Sequence, residues 1–153
     1  MNKIRYRSNL RDTAGNPAHA ATFIRKRLIV LDTALLSNPA EHERILCHER
    51  FHFVWVRLGN PRRLAWECLL AAEYRARARG EAGWSAEWRK QKLSALDVTK
   101  RTRRWREYCC ESFCDTAAWI FTSSETEVTL AKLRREGRKS WFARHIKSEE
   151  IPI

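Results

Sequence analysis

Two histidines stand four residues apart in the stretch ILCHERFHFVW at residues 45–55, and a glutamate follows the first of them. Residues four apart on a helix lie one turn apart on the same face, so the rings of His48 and His52 can reach one metal ion. Glu49 lies about 100° further round such a helix, where its carboxylate can take a proton from a water molecule. The H-E-x-x-H spacing therefore predicts a Zn²⁺ site with Glu49 as the catalytic base. The alternative is a pair of core histidines bonded to backbone or carboxylate groups.

A catalytic zinc ion needs a third protein ligand and an open position for water. The metzincin continuation of the motif is absent, because Trp55 and Leu58 stand where its glycine and third histidine would be. We therefore expect the third ligand to be a carboxylate. Glu67 and Glu73 are the nearest carboxylates after the motif, and a later stretch adds Glu107.

Glu111 is the preferred third ligand. Asp115 follows it by one helical turn and can accept the free ring N–H of a ligating histidine, which fixes the tautomer and makes the ligand more basic. The small residues Ala117 and Ala118 come next and allow two helices to approach closely. Glu107 is the runner-up, with Glu111 then in the supporting position.

The oxyanion that forms during carbonyl hydrolysis needs a further hydrogen-bond donor. Tyr108 lies one turn before Glu111 on the same helical face, and we predict that it has this catalytic role. His145 and Tyr74 are weaker candidates. Packing in the core is the alternative role for each.

The residues around the motif predict the elements that position it. Asn38 can cap a helix that opens with Pro39 and ends at Gly59, and a second long helix covers 102–121. The β-branched run at 22–31 predicts a strand directly before the first of these helices, and a second, weaker strand signal lies within 3–8. Other helices are expected over 60–80, 86–96 and 124–135. The last of these has a Ser124/Glu127 capping box at its start and is expected to end at Gly137. A final amphipathic stretch follows it.

The sum of these elements predicts a helix-dominated α+β fold with a small β-sheet edge before the histidine-bearing helix. Residues 1–21 are polar and contain Gly15, Asn16 and Pro17, and we expect them to form a loose N-terminal arm. Residues 22–153 are expected to form one domain, as the length of 153 residues suggests.

The motif HERFH followed by ESFCD on a later helix resembles the gluzincin zinc metallopeptidases, whose thermolysin-like pattern is H-E-x-x-H…E-x-x-x-D. The small size is similar to minimal zincins, including the bacterial ImmA/IrrE type. The resemblance covers 24–58 and 104–121, and it implies a zincin-like domain, Zn²⁺ as cofactor, a peptide or protein substrate and metallopeptidase activity. It also implies that the strand at 24–31 is the edge strand along which the substrate lies. The stretch 53–110 between the motifs departs from thermolysin by its length.

Charge and cysteine content bear on partners and location. Lys and Arg number 30 against 18 Asp and Glu, a net charge of +12, with basic clusters at 25–27, 75–79 and 100–106. A nucleic acid or another acidic partner is therefore an open alternative, with the protein a binding or interaction module and its metal structural or vestigial. The five cysteines show no C-x-x-C pair, which favours reduced thiols and a cytoplasmic protein. No apolar run is long enough to predict a membrane span.

Overall fold

The computed structural model describes residues 2–123 and 128–151 and confirms a helix-dominated α+β fold. A small sheet lies on one side of the first helix and the remaining helices lie on the other. The strands are β1 (Lys3–Arg7), β2 (Ala20–Phe23) and β3 (Leu28–Asp32); the α-helices are α1 (Pro39–Arg57), α2 (Asn60–Arg75), α3 (Trp84–Lys90), α4 (Ala95–Lys100), α5 (Arg103–Phe121) and α6 (Lys132–His145). Three short 3₁₀ helices cover Ile24–Lys26, Thr33–Ser37 and Ser148–Glu150.

The sheet has the order β1-β3-β2, so β3 is central and β2 forms an edge. The central strand pairs in parallel with β1 and antiparallel with β2. Ile29 and Leu31 of β3 are fully buried and pack with Ile45 and Phe53 of α1. The sheet is therefore fixed to the same helix that carries the two histidines.

A second, larger core fills the space between α1, α2, α5 and α6 and is rich in aromatic side chains. The ring of Phe51 in α1 is tilted against that of Phe113 in α5, with centroids 5.9 Å apart, and Phe142 of α6 stacks on Phe113 at 5.0 Å. Trp66 of α2 meets Trp141 of α6 edge to face at 4.9 Å. Such pairs prefer tilted geometries and hold the helices at fixed spacing. These contacts therefore hold α1 and α5 against each other next to the predicted site.

The N-terminal region differs from the prediction. The segment 1–21 was expected to be a loose arm with a weak strand signal within 3–8. It contains β1, which matches that signal, and the start of β2, and Asp32 accepts a hydrogen bond from the backbone N–H of Leu10 at 2.7 Å. The strand expected over 22–31 is two strands, because the short 3₁₀ helix Ile24–Lys26 turns the chain and Arg27 takes a left-handed conformation with φ 48°. A boundary at residue 22 would cut β2, so the sheet belongs to the same unit as the helices.

Helix ends also differ from the prediction in places. The helix expected over 86–96 is divided between α3 and α4, which begins at a Ser94/Asp97 capping box. The Ser124/Glu127 capping box lies outside the described residues. α6 runs through Gly137, which was expected to end a helix, because a glycine in a helix interior costs only about 0.5–1 kcal/mol. In the described ranges, no helix combines the length and the apolar character that crossing a membrane requires.

Candidate metal centre

The two histidines of α1 face the cleft between α1 and α5. Asn38 accepts a hydrogen bond from the N–H of Glu41 and starts α1, which then runs without interruption past both rings. His48 is buried, His52 is half-buried, and their rings meet edge to face with centroids 5.0 Å apart. This is the arrangement that the four-residue spacing predicts.

Glu111 of α5 lies opposite both rings. Its Oε2 is 3.2 Å from Nε2 of His48, and its Oε1 is 3.8 Å from Nε2 of His52. Burial alone would raise the pKa of Glu111, but the hydrogen bond and charge of His48, together with the charge of His52, hold that pKa well below its usual range. The structure therefore brings an ionised carboxylate to the two ring nitrogens that the motif offers to a metal.

Asp115 contacts His48 at Nδ1, the ring nitrogen that does not face Glu111. The Nδ1–H of His48 donates to Oδ1 of Asp115 at 2.8 Å, and the backbone N–H of Ala86 donates to Oδ2, also at 2.8 Å. Burial alone would lower the pKa of His48, but the charge and hydrogen bond of Asp115 outweigh it, so the pKa lies well above its usual value. An acceptor at Nδ1 leaves Nε2 as the ligand nitrogen, as the predicted role of Asp115 requires.

The rival carboxylates are all engaged elsewhere. Arg101 pairs with Glu67 at 2.8 Å, Arg138 pairs with Glu73 at 2.7 Å, and Arg103 pairs with the exposed Glu107 at 2.7 Å. These three glutamates do not line the cavity in front of the histidines. Among the four carboxylates left open by the sequence, the geometry therefore selects Glu111.

A second set of possible ligands lies close by. His48, His52 and Cys114 each offer an atom within 4.8 Å of the others. Cys114 is fully buried, and burial followed by its contact with Cys110 raises the pKa of its thiol well above the usual value. Cys114 does not line the open cavity in front of the histidines, whereas Glu111 does, so a metal that is accessible from the cavity meets Glu111. The donor set of two imidazoles and one carboxylate suits a hydrolytic zinc site.

Cys110 supports the second histidine, a role that the sequence did not suggest. Its Sγ lies 3.5 Å from Nδ1 of His52. The hydrogen bond from Cys114 is the main reason why the pKa of Cys110 falls to about 6; burial opposes the shift and His52 adds to it. In the sequence, Cys110 is one of five cysteines that are expected to be reduced thiols. The four-residue spacing to Cys114, parallel to that of Glu111 and Asp115, is the signal that places both cysteines along the α1-facing side of α5.

Glu49 lies beside the histidines and is anchored to the edge strand. Its Oε2 accepts a hydrogen bond from Oγ1 of Thr22 on β2 at 2.6 Å. The residue is 9% exposed and lines the same cavity as both histidines. The carboxylate is thus held at the site by a hydroxyl and remains available to a molecule in the cavity.

An open cavity of about 340 Å³ lies in front of these groups. The edge strand β2 forms one wall and α3 forms the other, with the histidines and Glu111 between them. On the α3 wall, Ser85 Oγ donates to Oε2 of Glu111, and Nη2 of Arg89 lies 3.8 Å from Oε1. The lining is Ala20, Ala21, Thr22, Ile24, His48, Glu49, His52, Ser85, Arg89 and Glu111.

Tyr108 does not reach this cavity, which corrects its predicted role as the oxyanion donor. Its hydroxyl donates to Glu81 in a fully buried position. α5 is buried on two sides. Glu111 and Asp115 lie on the side that faces α1. Tyr108 and Ser112 lie on the side that faces Glu81, away from the histidines. The weaker candidates also lie elsewhere: Tyr74 donates to the carbonyl of Leu93, and His145 stacks on Trp141.

A buried polar cluster behind α5 shapes the segment that leads into α3. The guanidinium of Arg138, which is fully buried, pairs with Glu81 at 2.6 Å and with Glu73 at 2.7 Å. Burial alone would raise the pKa of Glu81, but Arg138 lowers it to about 2. Two residues later, a Cβ on Gly83 would overlap the carboxylate of Asp115. The cluster thus holds the chain that carries Ala86 to its contact with Asp115.

Comparison with known proteins adds no relative: no protein-family model, no curated protein and no solved structure matches this chain. The chemistry of the cavity must therefore be derived from its own residues. Those residues are two histidines with supported ring nitrogens, one ionised carboxylate opposite them and a second carboxylate at their side.

Proposed function

We propose that this protein is a zinc-dependent hydrolase of peptide bonds, in which His48, His52 and Glu111 hold the metal. The observation that carries the proposal is the convergence of both Nε2 atoms on one ionised carboxylate at an open cavity. Two neutral histidines and one carboxylate leave a zinc ion with net positive charge. When bound, such an ion lowers the pKa of a water molecule toward about 7 and polarises a carbonyl group.

Glu49 moves the proton in this proposal. It is not one of the groups facing Glu111, and the hydroxyl of Thr22 holds its carboxylate at the cavity wall. From there the carboxylate accepts a proton from the attacking water and donates it to the leaving amine. The hydrogen bond from Thr22 orients the carboxylate for both transfers.

The edge strand β2 supports the choice of a peptide as substrate. Its inner side pairs with β3, and its residues Ala20–Thr22 line the cavity next to Glu49. An extended peptide can add to the free edge of a strand through backbone hydrogen bonds. A peptide bound in this way runs past the histidines. β2 therefore takes the substrate-binding role that the resemblance gave to the strand at 24–31.

Arg89 replaces Tyr108 as the proposed donor to the oxyanion, and Ser85 helps to position it. Both lie on the α3 wall of the cavity and both contact Glu111. Nη1 of Arg89 also donates to the Ser85 carbonyl at 2.8 Å, which fixes the guanidinium at the rim. A fixed cation facing the cavity stabilises the charge that develops on a carbonyl oxygen.

The five cysteines are all free thiols, which supports a reducing, cytoplasmic location. The nucleic-acid alternative retains the support of the net charge of +12. In the basic cluster 100–106, Arg101 and Arg103 already pair with glutamates, which reduces the charge available to phosphates. The metal site, and not the charge, is therefore the basis of the proposal.

The direct test is Glu49→Gln, with Glu43→Gln as control on an exposed turn of the same helix. Both variants and the unchanged protein are loaded with zinc and assayed for cleavage of a mixed peptide library by mass spectrometry. We expect Glu49→Gln to keep its zinc and lose cleavage, and Glu43→Gln to keep both. Cleavage by Glu49→Gln at the rate of the unchanged protein would contradict the mechanism.

A further inference from the structure

Helix α3 and the residues that follow it carry an aromatic and basic surface. Trp84 is 74% exposed, and its ring lies 6.0 Å from that of Trp88. The guanidinium of Arg89 and the ammonium of Lys92 each lie 4.4 Å from the Trp88 ring centroid. Cation–π contact of this kind restrains the long side chains. Two cations are thus fixed beside the wall of the proposed active site.

A second cavity of about 540 Å³ opens next to this surface, lined by Trp88, Arg89, Lys92, Arg104 and Glu107. Arg89 also lines the cavity that contains the histidines, so the two cavities share one side chain as a wall. The second cavity therefore lies next to the first, beside Arg89.

The second cavity has an excess of positive charge. Three cations line it, and its one carboxylate, Glu107, already pairs with Arg103 at 2.7 Å. In the described part of the chain, neither Lys92 nor Arg104 forms an ion pair. The cavity therefore offers the charges of Lys92 and Arg104 to whatever enters it.

We propose that this cavity is a subsite for an acidic side chain of the substrate, aspartate or glutamate, next to the bond that is cleaved. The proposal rests on the peptidase function proposed above. The Trp88 ring packs against the aliphatic part of such a side chain, while Lys92 and Arg104 pair with its carboxylate. Because the substrate must also lie along β2, an acidic peptide fits the combined surface better than a nucleic acid does.

Paired peptides test the proposal. Glutamate is moved through each position on either side of the scissile bond of a cleaved sequence, and each peptide has a glutamine counterpart. At one position we expect kcat/KM to be about 3- to 10-fold higher for glutamate, in keeping with partly exposed ion pairs. Lys92→Glu and Arg104→Glu should each remove that ratio. Lys139→Glu is the matched control, because Lys139 is also an exposed cation over a tryptophan, 4.9 Å from the Trp119 ring centroid.

Binding to the zinc-loaded Glu49→Gln protein, measured by fluorescence anisotropy, separates this proposal from the peptidase function. Tighter binding of a glutamate peptide, lost with Lys92→Glu and kept with Lys139→Glu, supports the subsite even if the unchanged protein cleaves nothing. Equal affinity and equal cleavage of glutamate and glutamine peptides at every position overturn the subsite, while cleavage itself leaves the peptidase function standing. A ratio that Lys139→Glu removes as fully as Lys92→Glu does would also overturn it.

Discussion

Replacement of Asp115 by asparagine tests how the protein prepares His48 for a metal. The carboxylate accepts two buried hydrogen bonds, from Nδ1 of His48 and from the N–H of Ala86, each 2.8 Å long. The asparagine amide has the same shape but only one oxygen. Whichever way it turns, its NH₂ group faces one of these two donors.

The effect of this substitution on the free energy of unfolding and on zinc affinity can be estimated for both orientations of the amide. A buried donor without an acceptor costs about 1–3 kcal/mol, so the free energy of unfolding of the zinc-free protein should fall by about that amount. If the NH₂ group faces His48, the ring proton moves from Nδ1 to Nε2, the nitrogen that must bind zinc. Loss of the negative charge also makes the ring a weaker ligand. We expect zinc affinity to fall about 10- to 100-fold.

Competition with a chromogenic chelator measures the zinc affinity, and urea unfolding followed by circular dichroism measures the stability. Glu107→Gln is the control, because Glu107 is an exposed carboxylate on the same helix that pairs with Arg103. It should change neither quantity appreciably, since exposed ion pairs contribute at most about 1 kcal/mol. A zinc affinity of Asp115→Asn within about threefold of the unchanged protein would refute the role given to Asp115.

Three further outcomes follow from the same contacts. Gly83→Ala places a Cβ against the carboxylate of Asp115 and should weaken zinc binding. Gly137→Ala is the control, because the space around its Cβ is open. It should leave zinc binding unchanged and stabilise α6 by about 0.5–1 kcal/mol in urea unfolding. Arg138→Met removes the guanidinium that pairs with the buried Glu73 and Glu81, and it leaves Glu81 with Lys90 at 3.5 Å. The free energy of unfolding should fall by about 3–5 kcal/mol, and a loss below about 1 kcal/mol would contradict the buried ion pairs. The pKa of His48 is raised in the zinc-free protein, so zinc must displace a proton to bind this ring. Chelator competition should therefore show zinc affinity rising from about pH 6 to about pH 8. The stability that the protonated ring contributes to the zinc-free protein is lost as the pH rises through that raised pKa. Affinity independent of pH over this range would argue against His48 as a ligand.

The helices that carry the site were predictable because their signals are local. Asn38, Pro39 and the spacing of His48 and His52 lie within one short segment, and α1 begins and ends within two residues of the expected bounds. α5 likewise matches its prediction closely, and Glu111 and Asp115 lie on its α1-facing side. Caps and four-residue spacings are properties of neighbouring residues, so one sequence is enough to identify them.

The rest depends on contacts between distant parts of the chain. The hairpin of β2 and β3 was predicted as one strand because a β-branched run does not reveal where it turns, and β1 forms only by pairing with residues about twenty-five positions away. Tyr108 was misplaced because α5 is buried on two sides, and its sequence does not show which side faces which partner. The pairing of Arg138 with Glu73 and Glu81 joins three separate segments. No local spacing predicts it.

The identity of the ligand atoms is the central claim, and X-ray absorption at the zinc edge tests it most directly. The full chain is loaded with about one equivalent of zinc, and the distances around the metal are measured. If His48, His52 and Glu111 bind the ion, all ligands are nitrogen or oxygen at about 2.0–2.2 Å. A sulfur ligand at about 2.3 Å would instead assign the site to His48, His52 and Cys114, and it would contradict the hydrolytic centre proposed for this protein.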